Sequence, residues 1–214
     1  MNKTLTLAAL AATGAALMGC SSMPSQAELD QMAMKVIQTS FRDQGIAKVD
    51  RLQQDLAQAA CSSEKAPNEA TQAKIMEEAK RTVKFPADGN FMGDWQQGER
   101  IAQSGRGMTW TDASAAPSAN GGNCYNCHQI SKEEISYGTI GPSLYQYGKN
   151  RGITGTDSPT YKPIAEYTWM KLYNARTYSA CSQMPRFGHA ALLDETQMRH
   201  IMALLLDPKS PVNR

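Results

Sequence analysis

Cys124-Tyr125-Asn126-Cys127-His128 is the stretch on which the reading of this chain turns. Two intervening residues put both thiols on one side of a single turn, where each can add to one vinyl group of a haem. The histidine follows at once and is delivered to the iron from that same side. Such a string is the attachment signature of c-type haem. The blander readings are a chance pentapeptide, or a Cys-x-x-Cys redox pair with an accidental histidine. The export signal and helical surroundings described below weigh against both. The string occurs once, so the sequence predicts one covalently bound haem c on Cys124, Cys127 and His128.

An iron that only passes electrons needs a sixth ligand, because an open position invites small molecules. Met184 is the best placed candidate. It stands 56 residues after His128, in a loop, with Pro185 behind it and a helix on either side. Met198 and Met202 fall on the apolar stripe of a helix and read as core filler. Met170 is also helical, and Met108 precedes the motif. Packing alone is the competing explanation of Met184. Of the three histidines, His189 is the alternative ligand, and His200 lies on the polar side of the last helix. A His/Met pair raises the reduction potential relative to two histidines. Just downstream, Gly141-Pro142-Ser143-Leu144 offers the Pro142 carbonyl to the second ring nitrogen of His128, unless it is an ordinary turn; a metal-bound imidazole normally has such a partner. Arg176 and Arg186 are candidates to neutralise haem propionates, although most surface arginines have no such role.

Away from the motif the periodicity is helical. Ser25 and Glu28 have capping-box spacing, followed by Leu29, Met32, Ala33, Val36, Ile37 and Phe41 on one face. Gly45 interrupts, then Val49, Leu52, Leu56 and Ala60 repeat the pattern. Met76, Ala79 and Val83 continue it more weakly after Pro67. Residues 24–85 therefore read as two or three amphipathic helices, closed by Phe85-Pro86-Ala87-Asp88-Gly89. A helix opening at Asp94 has Gly98, Ile101, Ala102 and Gly105 as its inward face, small enough for another helix to approach closely. Residues 105–123 and 137–159 are loops rich in small residues. Pro163 sits near the start of a helix with Trp169, Leu172, Tyr173 and Arg176 on one face. The last helix starts at Asp194, buries Met198, Ile201, Met202 and Leu205, and stops at Asp207-Pro208. No alternating strand pattern of useful length is present.

The front end is a targeting segment. Lys3 precedes an apolar run from Leu5 to Met18, too short to span a bilayer as a mature helix. Leu17-Met18-Gly19-Cys20 resembles the lipobox of bacterial lipoproteins, in which the cysteine is acylated; an ordinary cleaved signal with an idle cysteine is the other reading. Both export the protein. The net charge of +2 falls to +1 without Lys3, so there is no basic field for nucleic acid. Membrane contact is expected only through a lipid on Cys20. Of the five cysteines, Cys61 and Cys181 remain unassigned, and two such thiols in an oxidising compartment most often pair.

The order of helix, Cys-x-x-Cys-His, Gly-Pro-x-Leu, Met-Pro in a loop and terminal helix resembles the class I cytochrome c domain. More specifically, Val49-Asp50-Arg51-Leu52-Gln53-Gln54-Asp55, Phe85-Pro86-Ala87-Asp88-Gly89 and Gly141-Pro142-Ser143-Leu144 look like the SoxX family, the monohaem subunits of the SoxAX cytochromes of sulfur-oxidising bacteria. Asn174-Ala175-Arg176, Met184-Pro185-Arg186-Phe187-Gly188 and Ala203-Leu204-Leu205-Leu206-Asp207-Pro208 fit the same family. The resemblance implies an all-α, class I cytochrome c fold with an N-terminal helical extension. Its organisation would be a signal peptide over 1–19, tether and extension over 20–88, and the cytochrome c domain over 89–214.

It also implies a function. SoxAX, an L-cysteine S-thiosulfotransferase, joins thiosulfate oxidatively to a cysteine of the carrier SoxYZ. The bond-forming site lies on a SoxA-like partner. The haem held by Cys124 and Cys127, with His128 and Met184 on its iron, would take electrons from that site and pass them to a soluble cytochrome. Such a chain works in the periplasm, as one half of a heterodimer, and is not active alone. The lipoprotein signal departs from most members. A bridge between Cys61 and Cys181 would pin the extension to the loop carrying Met184, and a disulfide is expected there. A stand-alone lipid-anchored electron carrier is the alternative, against which the long helical extension speaks.

Overall fold

The computed structural model describes residues 23–214. The signal segment 1–19 and Cys20 lie outside the described residues. Among those described the protein is all-α, with six α-helices, short 3-10 turns and no β-strand. It divides into two compact units, one ending at Arg42 and the other running over Asp43–Arg214.

The first unit contains α1 (Gln26–Ser40). Its capping box forms as the spacing predicts: Ser25 Oγ accepts from the Glu28 N–H at 3.4 Å, and Glu28 Oε2 accepts from the Ser25 N–H at 2.7 Å. Among the described residues of that unit nothing buries the stripe of Leu29, Met32 and Val36.

The second unit holds α2 (Leu56–Cys61), α3 (Glu69–Thr82), α4 (Trp95–Gln103), α5 (Tyr161–Tyr173) and α6 (Glu195–Leu206). The stripe from Val49 to Ala60 does not run as one helix. Val49–Leu52 is a 3-10 turn, Gln53 is extended, and Asp55 starts afresh by accepting the Gln58 N–H at 2.7 Å. A carboxylate at an N-cap satisfies a donor that a continuing helix would bond itself, so it favours initiation. α3, the weakest stripe in the sequence, is a full helix capped by Asn68, whose Oδ1 accepts from the Thr71 N–H at 2.9 Å.

The main core forms where α4 crosses α6 and α5 lies alongside. Gly98 makes the crossing close: a Cβ there would lie 2.7 Å from the His200 carbonyl carbon and 3.0 Å from Leu204 Cβ. Met198, Ile201, Met202, Leu204 and Leu206 are buried beneath it, as is Trp169 of α5. The Trp169 indole N–H donates to the Lys84 carbonyl at 2.8 Å, and its ring meets Phe91 edge-on with centroids 5.7 Å apart. The chain leaving α3 is thereby fixed to the core. Arg176 does not lie on α5. Asn174 ends that helix, donates to Thr82 Oγ1 at 3.2 Å, and caps a 3-10 turn, Ala175–Thr177, that carries Arg176. A smaller cluster of Ala57, Ile75 and Ala180 joins α2 and α3 to the segment between α5 and α6.

Candidate functional site

Two glycines and an asparagine position the Cys-x-x-Cys-His turn. The Gly122 N–H donates to the Ile101 carbonyl at 2.8 Å and the Asn123 N–H to the Ser104 carbonyl at 3.0 Å, so this strand of chain occupies acceptors at the end of α4. Gly121 is needed for the close pass, since a Cβ there would run into the Ser104 carbonyl, and one on Gly122 would sit 3.0 Å from Cys124 Sγ. Asn123 then takes a left-handed conformation, φ 49°, which asparagine tolerates better than most residues. This reverses the chain into the turn, where the N–H groups of Cys127 and His128 both donate to the Cys124 carbonyl, at 3.1 and 2.9 Å.

Both thiols are unbridged. Cys124 faces the main core beside Tyr125, and burial pushes its thiol up to about 12. The following loop returns along the turn in register. The Gly138 N–H donates to Tyr125, Gly141 to Cys127 and Leu144 to Gln129, at 2.9, 2.8 and 2.7 Å. That return brings the Pro142 carbonyl to 2.6 Å from His128 Nδ1. A carbonyl only accepts, so Nδ1 carries the proton and Nε2 keeps its lone pair free for a metal. Gly141 lies against the face of the same ring; a Cβ there would be 2.7 Å from His128 Nε2.

Met184 is half-buried and packs on the same core cluster that Cys124, Tyr125 and Leu144 border. Its N–H donates to Ser182 Oγ at 3.3 Å. Met198 and Met202 are core residues, 2% and 0% exposed, as the stripe of α6 predicts. His200 is engaged elsewhere: its Nδ1 accepts from the Asp94 N–H at 2.9 Å. The His189 N–H donates to the Tyr173 carbonyl at 3.0 Å, and its imidazole is held below the usual range by burial and by the nearby Arg186 guanidinium.

Cys61 and Cys181 form the expected disulfide, with Cα atoms 5.5 Å apart. Sequence reasoning missed Asp55. Its carboxylate pairs with Arg186 Nη1 at 3.1 Å and Arg176 Nη1 at 3.2 Å, so both arginines considered for propionates are shared with one acid. Partial burial works against the charge of Asp55. The Gln58 N–H and the two guanidiniums outweigh it, leaving the carboxyl below its ordinary range. The spacing of Asp55 and Gln58 is a capping-box signal, but nothing local announces partners more than a hundred residues on.

The donor set fits haem c: two reduced thiols on one turn and an imidazole oriented by a backbone carbonyl, with a glycine flat against its ring. Among the described residues no three His, Cys, Asp or Glu side chains converge as a cage for a bare metal ion. Fold and site together define a class: all-α over the described residues, stapled by the Cys61–Cys181 disulfide and presenting an unbridged Cys-x-x-Cys-His turn. No family model matches the chain. An uncharacterized lipoprotein of Aquifex aeolicus (strain VF5) is 37% identical to it over 163 residues, covering 75% of this chain and 73% of that protein. The chain belongs to the family of that lipoprotein. Among the described residues no helix is long and apolar enough to cross a membrane.

Proposed function

We propose that this protein is an exported monohaem c-type cytochrome that moves single electrons, as the SoxX-like subunit of a thiosulfate-oxidising SoxAX-type complex. The observation that carries the haem reading is the Cys124–His128 turn with both thiols unbridged and His128 held by the Pro142 carbonyl at 2.6 Å. Haem c, once bound, supplies a reversible one-electron iron couple. The chain's residues do the rest. Cys124 and Cys127 would hold the macrocycle, while Pro142 and Gly141 fix the plane of the His128 ring. Met184, on the rim of the core that Cys124 borders, would supply the iron's second protein ligand. The Sox assignment rests on the family-like strings around Val49–Asp55, Gly141–Leu144 and Met184–Gly188. A SoxA-like cytochrome, a SoxYZ-like carrier and a soluble acceptor cytochrome are the partners, in the periplasm. The Leu17–Cys20 lipobox and the relative's lipoprotein name support an anchor on Cys20.

The test is expression with a c-type maturation system, alone and beside a SoxA-like partner, followed by thiosulfate-dependent electron release with SoxYZ present. The expected result is turnover by the pair only, with reduction of this subunit's haem. No association and no reaction, while the lone protein still cycles electrons, would make it a free-standing carrier. Absence of covalent haem after maturation would end both readings.

A further inference from the structure

We infer that α2 of the N-terminal extension clamps the loop that carries Met184, with Asp55 and Cys61 as positioning residues for the thioether; this rests on the reading that Met184 is the sixth ligand. The two grips lie at opposite ends of one six-residue helix. At its C-terminal end Cys61 is bridged to Cys181, three residues before Met184. At its N-terminal end the Asp55 carboxylate holds Arg186, two residues after Met184, at 3.1 Å and Arg176 at 3.2 Å. The carboxylate is itself fixed to the helix, because it accepts the Gln58 N–H at 2.7 Å while Gln58 Oε1 accepts the Asp55 N–H at 2.8 Å.

Beyond these grips the loop is held C-terminal to Met184 by Phe187, which is buried in the main core and whose carbonyl accepts the Leu192 and Leu193 N–H groups. The Ser182 N–H donates to Ser179, but among the described residues none of the N–H groups of residues 183–188 donates to a backbone carbonyl. The next such bond is His189 to Tyr173. Ordinary surface ion pairs fix little; here two guanidiniums, 14% and 25% exposed, converge on one acid that is 41% exposed and anchored at a helix cap. Ala57 and Ile75, both buried, close over Ala180 beside the disulfide. The extension thus grips the ligand loop on both sides of Met184. A thioether is a neutral, easily displaced iron ligand, so the occupancy of its bond depends on how firmly the loop is held.

The experiment uses the full-length haem-loaded ferric protein. It reads the far-red sulfur-to-iron charge-transfer band and the affinity for added imidazole, which must displace the thioether to bind. Wild type, Asp55→Asn, Asp55→Glu and the double variant Cys61→Ser/Cys181→Ser are compared. Asp88→Asn is the control, since it removes a two-point ion pair to Arg199 (2.8 and 2.9 Å) away from the loop. The expected result is a tenfold or larger gain in imidazole affinity for Asp55→Asn and for the double variant, with partial return in Asp55→Glu and none in the control. Wild-type affinity and band in Asp55→Asn, or an equal gain in Asp88→Asn, would overturn the clamp. A wild-type protein without the band would instead overturn the ligand assignment on which the clamp stands. The Asp55 variants keep the disulfide and the core intact, so they decide the matter if the cysteine variant fails to fold.

Discussion

Gly98→Ala sets two known effects of opposite sign against each other. Gly98 is interior to α4, and in an open helix alanine would be favoured over glycine by about 1 kcal/mol. Here the added methyl would point at the His200 carbonyl of α6, 2.7 Å from its carbon and 3.0 Å from Leu204 Cβ. The nearest obstacle is backbone, so no side-chain rotation relieves the contact. The two helices must part by about an ångström over a crossing that buries Ala102, Ile201, Met202 and Leu204. Overpacking of a rigid core costs about 1–3 kcal/mol, and a backbone obstacle belongs at the upper end. The net expectation is destabilisation by about 2 kcal/mol, or about 4–8 °C in Tm for a unit of this size. Urea unfolding followed by far-UV circular dichroism measures it, with Gln97→Ala, on the exposed face of the same helix, as reference. A Gly98→Ala protein as stable as wild type or more so would mean that the crossing is looser than described and that helix propensity decides. The turn should feel the change as well, because the Gly122 N–H hangs on the Ile101 carbonyl of the displaced helix.

Removing both Cys61 and Cys181 opens a bridge spanning 120 residues, for which chain entropy gives an upper figure of about 5 kcal/mol. A change in the urea midpoint equivalent to less than about 1 kcal/mol would show that the unfolded chain gains almost nothing from release. Trp169→Phe deletes the indole donor to Lys84 and leaves a gap beside Phe91, with an expected loss of about 1–3 kcal/mol in the same assay. Asp55 has a lowered folded pKa, so its contribution is complete above the ordinary carboxylate range and is lost as pH falls through the folded value. Asp55→Asn should therefore flatten the acid limb of the stability–pH curve and leave its shape above neutrality unchanged; an unaltered acid limb would contradict this.

Features that depend on near neighbours in sequence were legible. The caps at Ser25 and Asp194, the apolar stripe of α6 and Gly98 and Ala102 of α4 are all written within about two helical turns, whereas Gly105, expected on the same inward face, lies past the Ser104 cap and is exposed. The pairing of His128 with Pro142 was legible too, because it spans only fourteen residues. The Cys61–Cys181 bridge was legible for a different reason, namely that the other cysteines already had roles. The break before α2 was not seen, since apolar spacing ran on through Asp55 as though the carboxylate were one more exposed position. The ion pairs of Asp55 with Arg176 and Arg186 could not be seen at all. They join residues 121 and 131 apart, and only the packing of Ala57 and Ile75 on Ala180 brings them together. Arg176 was placed on α5 because its spacing continues the stripe, whereas the Asn174 cap ends the helix first.

The choice of which cysteines are bridged imposes a sorting problem during biosynthesis. Cys61, Cys124, Cys127 and Cys181 can be fully paired in three ways, and the protein bridges the most distant two and not the adjacent pair. In an unfolded chain, closing the Cys124–Cys127 loop is favoured over closing the long one by about 3 kcal/mol of entropy. An oxidant acting early would therefore seal the turn whose thiols the proposed haem requires. The correct bond forms readily only after Ala57, Ile75 and Ala180 have met and carried the two distant sulfurs together. The disulfide is then a record of completed folding.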